Sequence, residues 1–566
     1  MAKAKSKRSD EESKPPGSPD QSALYHSYIF MTGAVTLSLE LLASRILTPY
    51  FGVSLFIWSG ILSITLIALS LGYYIGGRTT RIQPGERRFT LAFLFLLMPT
   101  LSGISIAGSC LLYPKIFHTL GSNNLVAGAY LACMLLIFLP LIAVSAMNPL
   151  LIAIQNERQS RGSQAGDSGS GLVFFVSTVG SVIGVSLTAF VFIPNLTNFN
   201  SMLILAAILS SISLTGGLTS SGLADGERNR LLGVAALGIV ISLGLLAYAP
   251  SYLKKNESIR FGGNSWTLER EYTSMFGNTK ILTIVPDTGA SEASGSEKKV
   301  TYYYNDGITQ NIIDPEGHSL TPFTYALEFL SLGLRPDAKD VLMLGLGAGI
   351  IPMRLADKGV SVDVVEINPS SIQAAEDYFG FDPSRANVVI TDARTYVRNC
   401  PKAYDVVLID MSHGDGLPEY LLSREFFIDV RSCLTRDGIA VFNTFTSTQH
   451  LAAYYHIVKT LGAVFPHLLM YHDGLEDGKL AINIYLAGLQ RPNANPFERP
   501  TDLVPPSMAE ILAKVFSQSR PIDTALLAQA QVLEDEFNPF SFLNIESDQF
   551  FRESVLVTLP PEFLVN

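Results

Sequence analysis

Seven apolar stretches, near residues 27–50, 54–77, 89–113, 126–154, 171–194, 200–219 and 231–250, follow one another with few charges inside them. Most reach the roughly 20 residues that an α-helix needs to cross the hydrocarbon core. So many in succession predict a transmembrane helical domain over residues 23–252 rather than the buried helices of a soluble protein. The pattern then changes. Residues 266–285 and 300–313 alternate as strands do, around a loop at 286–299 rich in Gly, Ser and Asp, and predict a small β-subdomain over 256–318. From 341 onward, runs of strand length alternate with helical ones, ending in two strands near 465–472 and 479–487. That alternation predicts a mainly parallel sheet with helices on both faces, within a Rossmann-like domain over 319–490. Residues 491–506 are rich in proline and break the pattern. Helical stretches near 507–536 and an apolar tail complete an extension over 491–566 to which the pattern assigns no role.

Composition sharpens the division. Only 16% of the residues are charged, against about 25% in ordinary soluble proteins. The shortfall lies in the first half. The net charge of −10 leaves no electrostatic footprint for nucleic acid. Residues 1–22, with Lys3, Lys5, Lys7 and Arg8 followed by Pro15, Pro16 and Pro19, read as a disordered basic tail and not as a signal peptide. Cys110, Cys133, Cys400 and Cys433 are scattered without a C-x-x-C, and are expected to be free, buried thiols.

Basic residues cluster in the tail, at Arg78, Arg81, Arg87 and Arg88, at Arg158 and Arg161, and at Arg228 and Arg230. The positive-inside rule puts these segments and the N-terminus in the cytoplasm. Seven true crossings then place the C-terminal half outside. A ligand made in the cytosol argues the other way. The expectation is an integral protein of the inner or plasma membrane with a cytoplasmic catalytic domain, which requires one stretch not to cross. Glu40 and Arg45 lie inside the first stretch. Ionisable groups at such depth are costly and are expected to face the bundle interior as a polar pair. Their spacing of five does not by itself bring them into contact.

The candidate chemistry lies at residues 341–366. Residues 341–344 read as a buried strand, Gly345, Gly347 and Gly349 as a tight turn, 350–358 as a helix, and 361–365 as a second strand ending at Glu366. The helix N-terminus offers free N–H groups to a ligand. An acidic residue about 20 positions beyond such a turn grips ribose hydroxyls in nucleotide-binding sheets. Ile350 stands where the dinucleotide fingerprint has its last glycine, so the turn suits a sulfonium nucleoside of the S-adenosylmethionine type, with no pyrophosphate to cradle.

Two resemblances add to this reading. Leu39-Glu40-Leu41-Leu42-Ala43-Ser44-Arg45-Ile46-Leu47, Phe51-Gly52-Val53-Ser54 and Leu71-Gly72-Tyr73-Tyr74-Ile75-Gly76-Gly77-Arg78 resemble the membrane portion of the fused transporter/spermidine synthase family. Residues 171–194, with Gly180 and Gly184 as a small-residue packing face, resemble a later span of it. Residues 256–488 resemble spermidine synthase and its relatives, the aminopropyltransferases. The family's turn reads Gly-Gly-Gly-Asp-Gly-Gly; here Ala348 replaces the Asp. The resemblance implies that Glu366 holds the ribose, Asp392 accepts from the adenine amino group, and Gln310 approaches the methionine-like arm. For Asp392 a helix N-cap is the competing role.

Asp410 matches the family's catalytic Asp at the end of a strand, and its second acidic residue is lost or displaced to Asp415. Asp415, His413 and Tyr304 are the acceptor-side candidates. The family's Tyr-His-Glu signature survives only as His318. The fold class expected is thus multi-domain: a transmembrane bundle, a small β-subdomain and an α/β Rossmann-like S-adenosylmethionine-dependent transferase domain.

The implied reaction is alkyl transfer, of the aminopropyl type, from S-adenosylmethionine or decarboxylated S-adenosylmethionine, or an intramolecular cyclisation or elimination. Either releases 5′-methylthioadenosine. The sulfonium is already a good leaving group, so the reaction calls for no metal. The partners expected are a small-molecule amine or no second substrate, and the lipid bilayer; a homodimer is left open. The alternatives are a methyltransferase acting on an amine or lipid acceptor, and a non-catalytic transporter or sensor for a polyamine or nucleoside.

Overall fold

The computed structural model describes residues 21–52, 55–83, 85–159, 169–254, 257–287, 299–411, 416–472, 481–492, 504–516 and 519–566. Most of the basic tail, Arg161 and the candidates His413 and Asp415 lie outside these residues.

Among the described residues, seven helices are long and apolar enough to cross a membrane: α1 (Gln21–Phe51), α2 (Ile57–Thr80), α3 (Leu91–Asn123), α4 (Leu125–Glu157), α5 (Ser170–Asn195), α6 (Asn198–Thr219) and α7 (Asp225–Tyr252). They form one bundle. Helix α5 lies against α1 where the small residues allow it. A Cβ on Gly180 would lie 2.1 Å from the Phe30 carbonyl oxygen, and one on Gly184 would lie 2.2 Å from that of Ala34. Backbone-to-backbone seating of this kind gives packing without any hydrophobic force between helices.

The two ends of the bundle differ. At one end the start of α1, the 81–90 segment, the end of α4 and the start of α7 meet. His26 lies 3.2 Å from Gln155, Arg87 pairs with Glu157 at 2.7 Å, and Glu227 accepts from Thr90 N–H at 2.7 Å. The soluble half sits at the other end. There the Pro49 carbonyl accepts from Arg552 at 2.9 Å, His118 lies 2.6 Å from the Leu556 carbonyl oxygen, and Phe199 N–H donates to Asn566 at 3.1 Å.

Five antiparallel strands follow the bundle in sequence order: β1 (Ile259–Phe261), β2 (Asn264–Ser274), β3 (Gly277–Pro286), β4 (Val300–Asn305) and β5 (Ile308–Ile313). Each of the two alternating runs in the sequence folds back on itself as a hairpin. The second hairpin turns at Asp306 and Gly307, both with positive φ, as an Asp-Gly turn requires.

The sheet beyond has the order β11-β12-β10-β9-β6-β7-β8, built from β6 (Asp340–Leu344), β7 (Ser361–Glu366), β8 (Asn387–Ile390), β9 (Tyr404–Ile409), β10 (Leu434–Ser447), β11 (His467–His472) and β12 (Ala481–Leu489). Strands β6 to β10 are parallel, and β11 and β12 are antiparallel additions at one edge. The chain leaves β6 towards β7 and β8, then returns to β9 on β6's other side. That reversal makes the carboxyl ends of β6 and β9 the topological switch point, where open α/β sheets bind ligands.

Helices cover the sheet: α8 (Pro322–Leu334), α9 (Ile350–Asp357), α10 (Pro369–Phe379), α11 (Ala393–Val397), α12 (Arg424–Ser432) and α13 (Leu451–Val464). The extension adds α14 (Pro506–Val515), α15 (Thr524–Gln529) and α16 (Ile545–Thr558).

Two expectations are corrected. Cys400 and Cys433 are joined by a disulfide, with Cα atoms 5.7 Å apart; Cys110 and Cys133 are free and buried. Among the described residues no ion pair joins Glu40 to Arg45. The Arg45 guanidinium instead donates to the Ser274 carbonyl in the β2–β3 turn, and its own carbonyl accepts from Asn566 at 2.9 Å. Five residues along a helix is 500° of rotation, so the two side chains leave α1 about 140° apart.

Arg45 belongs to a junction that the tail completes. Arg552, fully buried, donates to the carbonyls of Pro49 at 2.9 Å and Asp306 at 3.0 Å. It thus ties α1, the β4–β5 turn and α16 together. Lys280 holds the tail by donating to the carbonyls of Phe563 and Val565. Replacing Arg552 by Met strands two buried carbonyls, each costing ~1–3 kcal/mol. The expected result is a clear fall in the thermal unfolding midpoint of the detergent-solubilised protein; an unchanged midpoint would show that the junction carries no stability.

Candidate active site

The glycine turn follows β6 directly. Gly345 N–H donates to the Val365 carbonyl at 2.8 Å, and Asp410 N–H donates to the Leu344 carbonyl at 3.0 Å, so the ends of β6, β7 and β9 are drawn together. Gly345 has φ +93°, and a Cβ there would lie 2.2 Å from the Asp410 carbonyl oxygen. Only glycine allows the turn to pass this close to the β9 end.

Glu366 closes the turn from the β7 side. Its Oε2 accepts from Leu346 N–H at 2.9 Å and its Oε1 from Asn368 N–H at 2.7 Å. Burial raises its carboxyl pKa, and these backbone bonds partly offset the rise. A carboxylate has about four lone-pair sites. The backbone N–H groups of Leu346, Asn368 and Ile367 all bear on this one.

Asp392 fills the N-cap role. Its Oδ1 caps α11 by accepting from Thr395 N–H at 2.8 Å, and its Oδ2 accepts from the Tyr420 hydroxyl at 2.9 Å. It also borders the cavity described next.

Asp410 stands at the end of β9. Burial lifts its pKa to about 6, against the pull of the hydrogen bond that Asn443 Nδ2 donates to Oδ1 at 2.8 Å. Asn443 is itself only 8% exposed, and its Oδ1 has no partner among the described residues. Nothing in the local sequence of β10 marks Asn443. It enters the site because β10 pairs with β9, which places Phe442 beside Ile409.

These groups share one cavity of about 940 Å³, at the upper end of the range for small-molecule sites. Gly345, Gly347, Gly349, Glu366, Asp392, Asp410 and Gln310 all line it. Its described lining holds five carboxylates, those of Glu366, Asp392, Asp410, Glu419 and Asp548, and no Lys, Arg or His. The described lining is thus acidic.

Tyr304 is corrected by one residue. It stacks on Tyr302 at 5.6 Å, packs into the core that β-subdomain and membrane helices share, and does not line the cavity. Tyr303 does, its hydroxyl donating to Ser371 Oγ at 3.1 Å. Alternate strand residues face opposite ways. Asp314, Glu316 and His318 bring their ligand-type atoms within 4.8 Å of one another on the turn after β5, away from the cavity lining.

The family model for the spermine/spermidine synthase domain matches residues 322–472. The polyamine aminopropyltransferase of Vibrio vulnificus is 30% identical over 216 residues, covering 37% of this chain and 71% of that one. The chain belongs to the spermidine synthase family. A second relative, the polyamine aminopropyltransferase of Pyrobaculum calidifontis, is 30% identical over 174 residues, covering 28% of this chain and 60% of that enzyme. The crystal structure of Thermotoga maritima spermidine synthase is 20% identical, covers 49% of this chain and 87% of that one, and aligns with a TM-score of 0.32. The family match falls on the sheet and its helices. The seven apolar helices and the extension after residue 490 lie outside it.

Proposed function

We propose that the protein is a membrane-integrated enzyme that transfers an alkyl group of the aminopropyl type from a sulfonium nucleoside to an amine. The observation that carries this is the single cavity in which the ribose-side carboxylate Glu366 and the strand-end carboxylate Asp410 meet with no basic side chain among the described lining. Both substrates of such a reaction are cationic near neutral pH.

The amine nitrogen attacks the carbon beside the sulfonium. A C–N bond forms, the C–S bond breaks, and its electron pair returns to sulfur, giving 5′-methylthioadenosine. The acceptor arrives as an ammonium, so Asp410, which a pKa near 6 leaves ionised at pH 7, first takes one proton from it; the lone pair this frees forms the C–N bond, and the product nitrogen keeps the positive charge. Asn443 fixes that carboxylate by its hydrogen bond, and the cavity aligns the nucleophile with the departing sulfur.

The donor is S-adenosylmethionine or its decarboxylated form. Ala348, buried in the turn, offers no carboxylate to a donor amine, and the described lining offers no cation to a donor carboxylate. Identifying the adenosine product tests the reaction class. Methylthioadenosine supports alkyl transfer, and S-adenosylhomocysteine as the product would establish a methyltransferase.

Two features support a non-cytoplasmic placement of the soluble half, in place of the cytoplasmic one favoured by the sequence alone. The basic segments at 78–88 and 228–230 lie at the end of the bundle away from it, and α7 is a full 28-residue helix. The Cys400–Cys433 disulfide suits an oxidising compartment. A phosphatase reporter that folds only after export, fused after Asn566, is expected to be active. An inactive phosphatase fusion, beside an active fusion to a reporter that works only in the cytoplasm, would reverse the placement.

A further inference from the structure

We propose that the amine acceptor is amphiphilic and comes from the bilayer: its ammonium lies at Asp410, and its apolar chain leaves the cavity past the C-terminal end of α16, at the depth of the membrane interface. This rests on the membrane-integrated, amine-acceptor reading above.

Contacts between helices set the depth of α16. A Cβ on Gly128 of α4 would lie 2.4 Å from the Leu120 carbonyl oxygen of α3, so these two residues are level. Tyr130 and His118 each lie two residues further into the bundle, about 3 Å, and are level with each other. The Tyr130 hydroxyl meets Ser59 Oγ at 2.7 Å, beside Trp58 on α2. His118 lies 2.6 Å from the Leu556 carbonyl oxygen on α16. Leu556 thus stands at about the depth of Trp58. Trp58 is exposed, as is Tyr248 near the same end of α7. Exposed Trp and Tyr on membrane helices mark the headgroup level. Tyr74, also exposed, lies sixteen residues along α2 from Trp58. That is about 24 Å, so Tyr74 falls near the opposite interface.

The cavity opens at the depth of Trp58. Ser554, Val555 and Thr558 line it, and Ser554 and Thr558 are exposed. Phe276, Ile308 and Thr309 line the same end, because Arg552 ties α16 to the β4–β5 turn and a Cβ on Gly307 there would lie 3.5 Å from Val555 Cγ1. None of these six lining residues is charged. The α16 carboxylate that borders the cavity, Asp548, is ten residues before Thr558, about 15 Å along the helix. Val557, 72% exposed, and Met275, exposed in the β2–β3 turn that Arg45 holds, add apolar side chains beside the opening. Apolar groups at headgroup depth enter the acyl boundary.

An acceptor matched to this end has an uncharged, apolar body. The described lining holds no cation, which disfavours a phosphate-bearing lipid headgroup and favours a long-chain primary amine. Its ammonium reaches the carboxylates deeper in the cavity while its chain stays continuous with the bilayer.

The test places the whole chain in phosphatidylcholine nanodiscs, saturated with methylthioadenosine, and adds dodecylamine carrying a photoreactive diazirine at mid-chain. Peptide mapping after irradiation is expected to find label on residues 274–277 and 554–558. Excess 1,4-diaminobutane, which competes for the ammonium end alone, should reduce that label at least 10-fold. The matching diazirine alcohol, which has no ammonium, should label the bundle helices and mark the two segments at least 10-fold less. Label confined to the bundle, or label at the two segments that the alcohol reproduces, would overturn the proposal. Calorimetry with 1,4-diaminobutane separates the remaining failures. A diamine that binds without displacing the label counts against the membrane route, and a diamine that does not bind counts against the amine-acceptor reading and takes this proposal with it.

Discussion

Asp410→Asn is expected to lower methylthioadenosine release by about 10²–10⁴-fold, the range for a positioned acid–base group, with nucleoside affinity nearly intact. Asparagine keeps the size of the side chain and loses its charge and basicity. The donor contacts proposed above, Glu366 and the glycine turn, are not touched by the substitution. The pH profile gives a second readout. A base works only when deprotonated, and burial holds the Asp410 pKa near 6. Activity limited by this group falls as pH drops below about 6, and that acid limb should vanish from the residual activity of the variant. Because the folded pKa is raised, ionisation of Asp410 lowers stability as pH rises through its ordinary range to about 6, so the variant should not be less stable at neutral pH. Wild-type turnover in Asp410→Asn would move the base elsewhere, to Asp415 or His413.

Glu366→Ala is expected to weaken nucleoside binding by about 10²–10⁴-fold. Two ribose hydroxyls lose a charged acceptor, at about 1.5–3 kcal/mol each, and 1.4 kcal/mol is about tenfold in affinity. The variant also releases the N–H groups of Leu346 and Asn368, which loosens the turn on which the donor lies. Glu366→Gln keeps one acceptor oxygen and should fall between alanine and wild type. Calorimetry that finds unchanged affinity in a folded alanine variant would make Glu366 a purely structural clasp.

The strands and turn proposed to hold the nucleoside were legible because they are local. A strand, a glycine turn, a helix and a second strand lie within about 25 consecutive residues, and Glu366 and Asp410 each stand where a strand ends. What the sequence left hidden depends on long-range pairing. Tyr303 and Tyr304 are adjacent, and which of them faces the cavity is decided by how β4 pairs with β3 and β5. Asn443 reaches Asp410 only through the β9–β10 register. The Cys400–Cys433 bridge joins residues 33 apart that meet where α11 and β10 begin and end around β9. Arg45 sits within an apolar run, yet its partner Ser274 is supplied by a turn more than 200 residues later. The extension gave no functional signal because α16 has a meaning only where it docks, between the bundle and the cavity.

The most direct measurement of the central claim follows the transferred carbon. Purified protein is incubated with 1,4-diaminobutane and with each sulfonium nucleoside, S-adenosylmethionine or its decarboxylated form, isotopically labelled in the three-carbon arm. The expected result is label joined to the amine, with methylthioadenosine formed in equal amount. Label retained in S-adenosylhomocysteine or its decarboxylated counterpart, with the methyl group on the acceptor, would contradict it. Tight nucleoside binding with no labelled product from either donor would contradict it as well, in favour of a sensor.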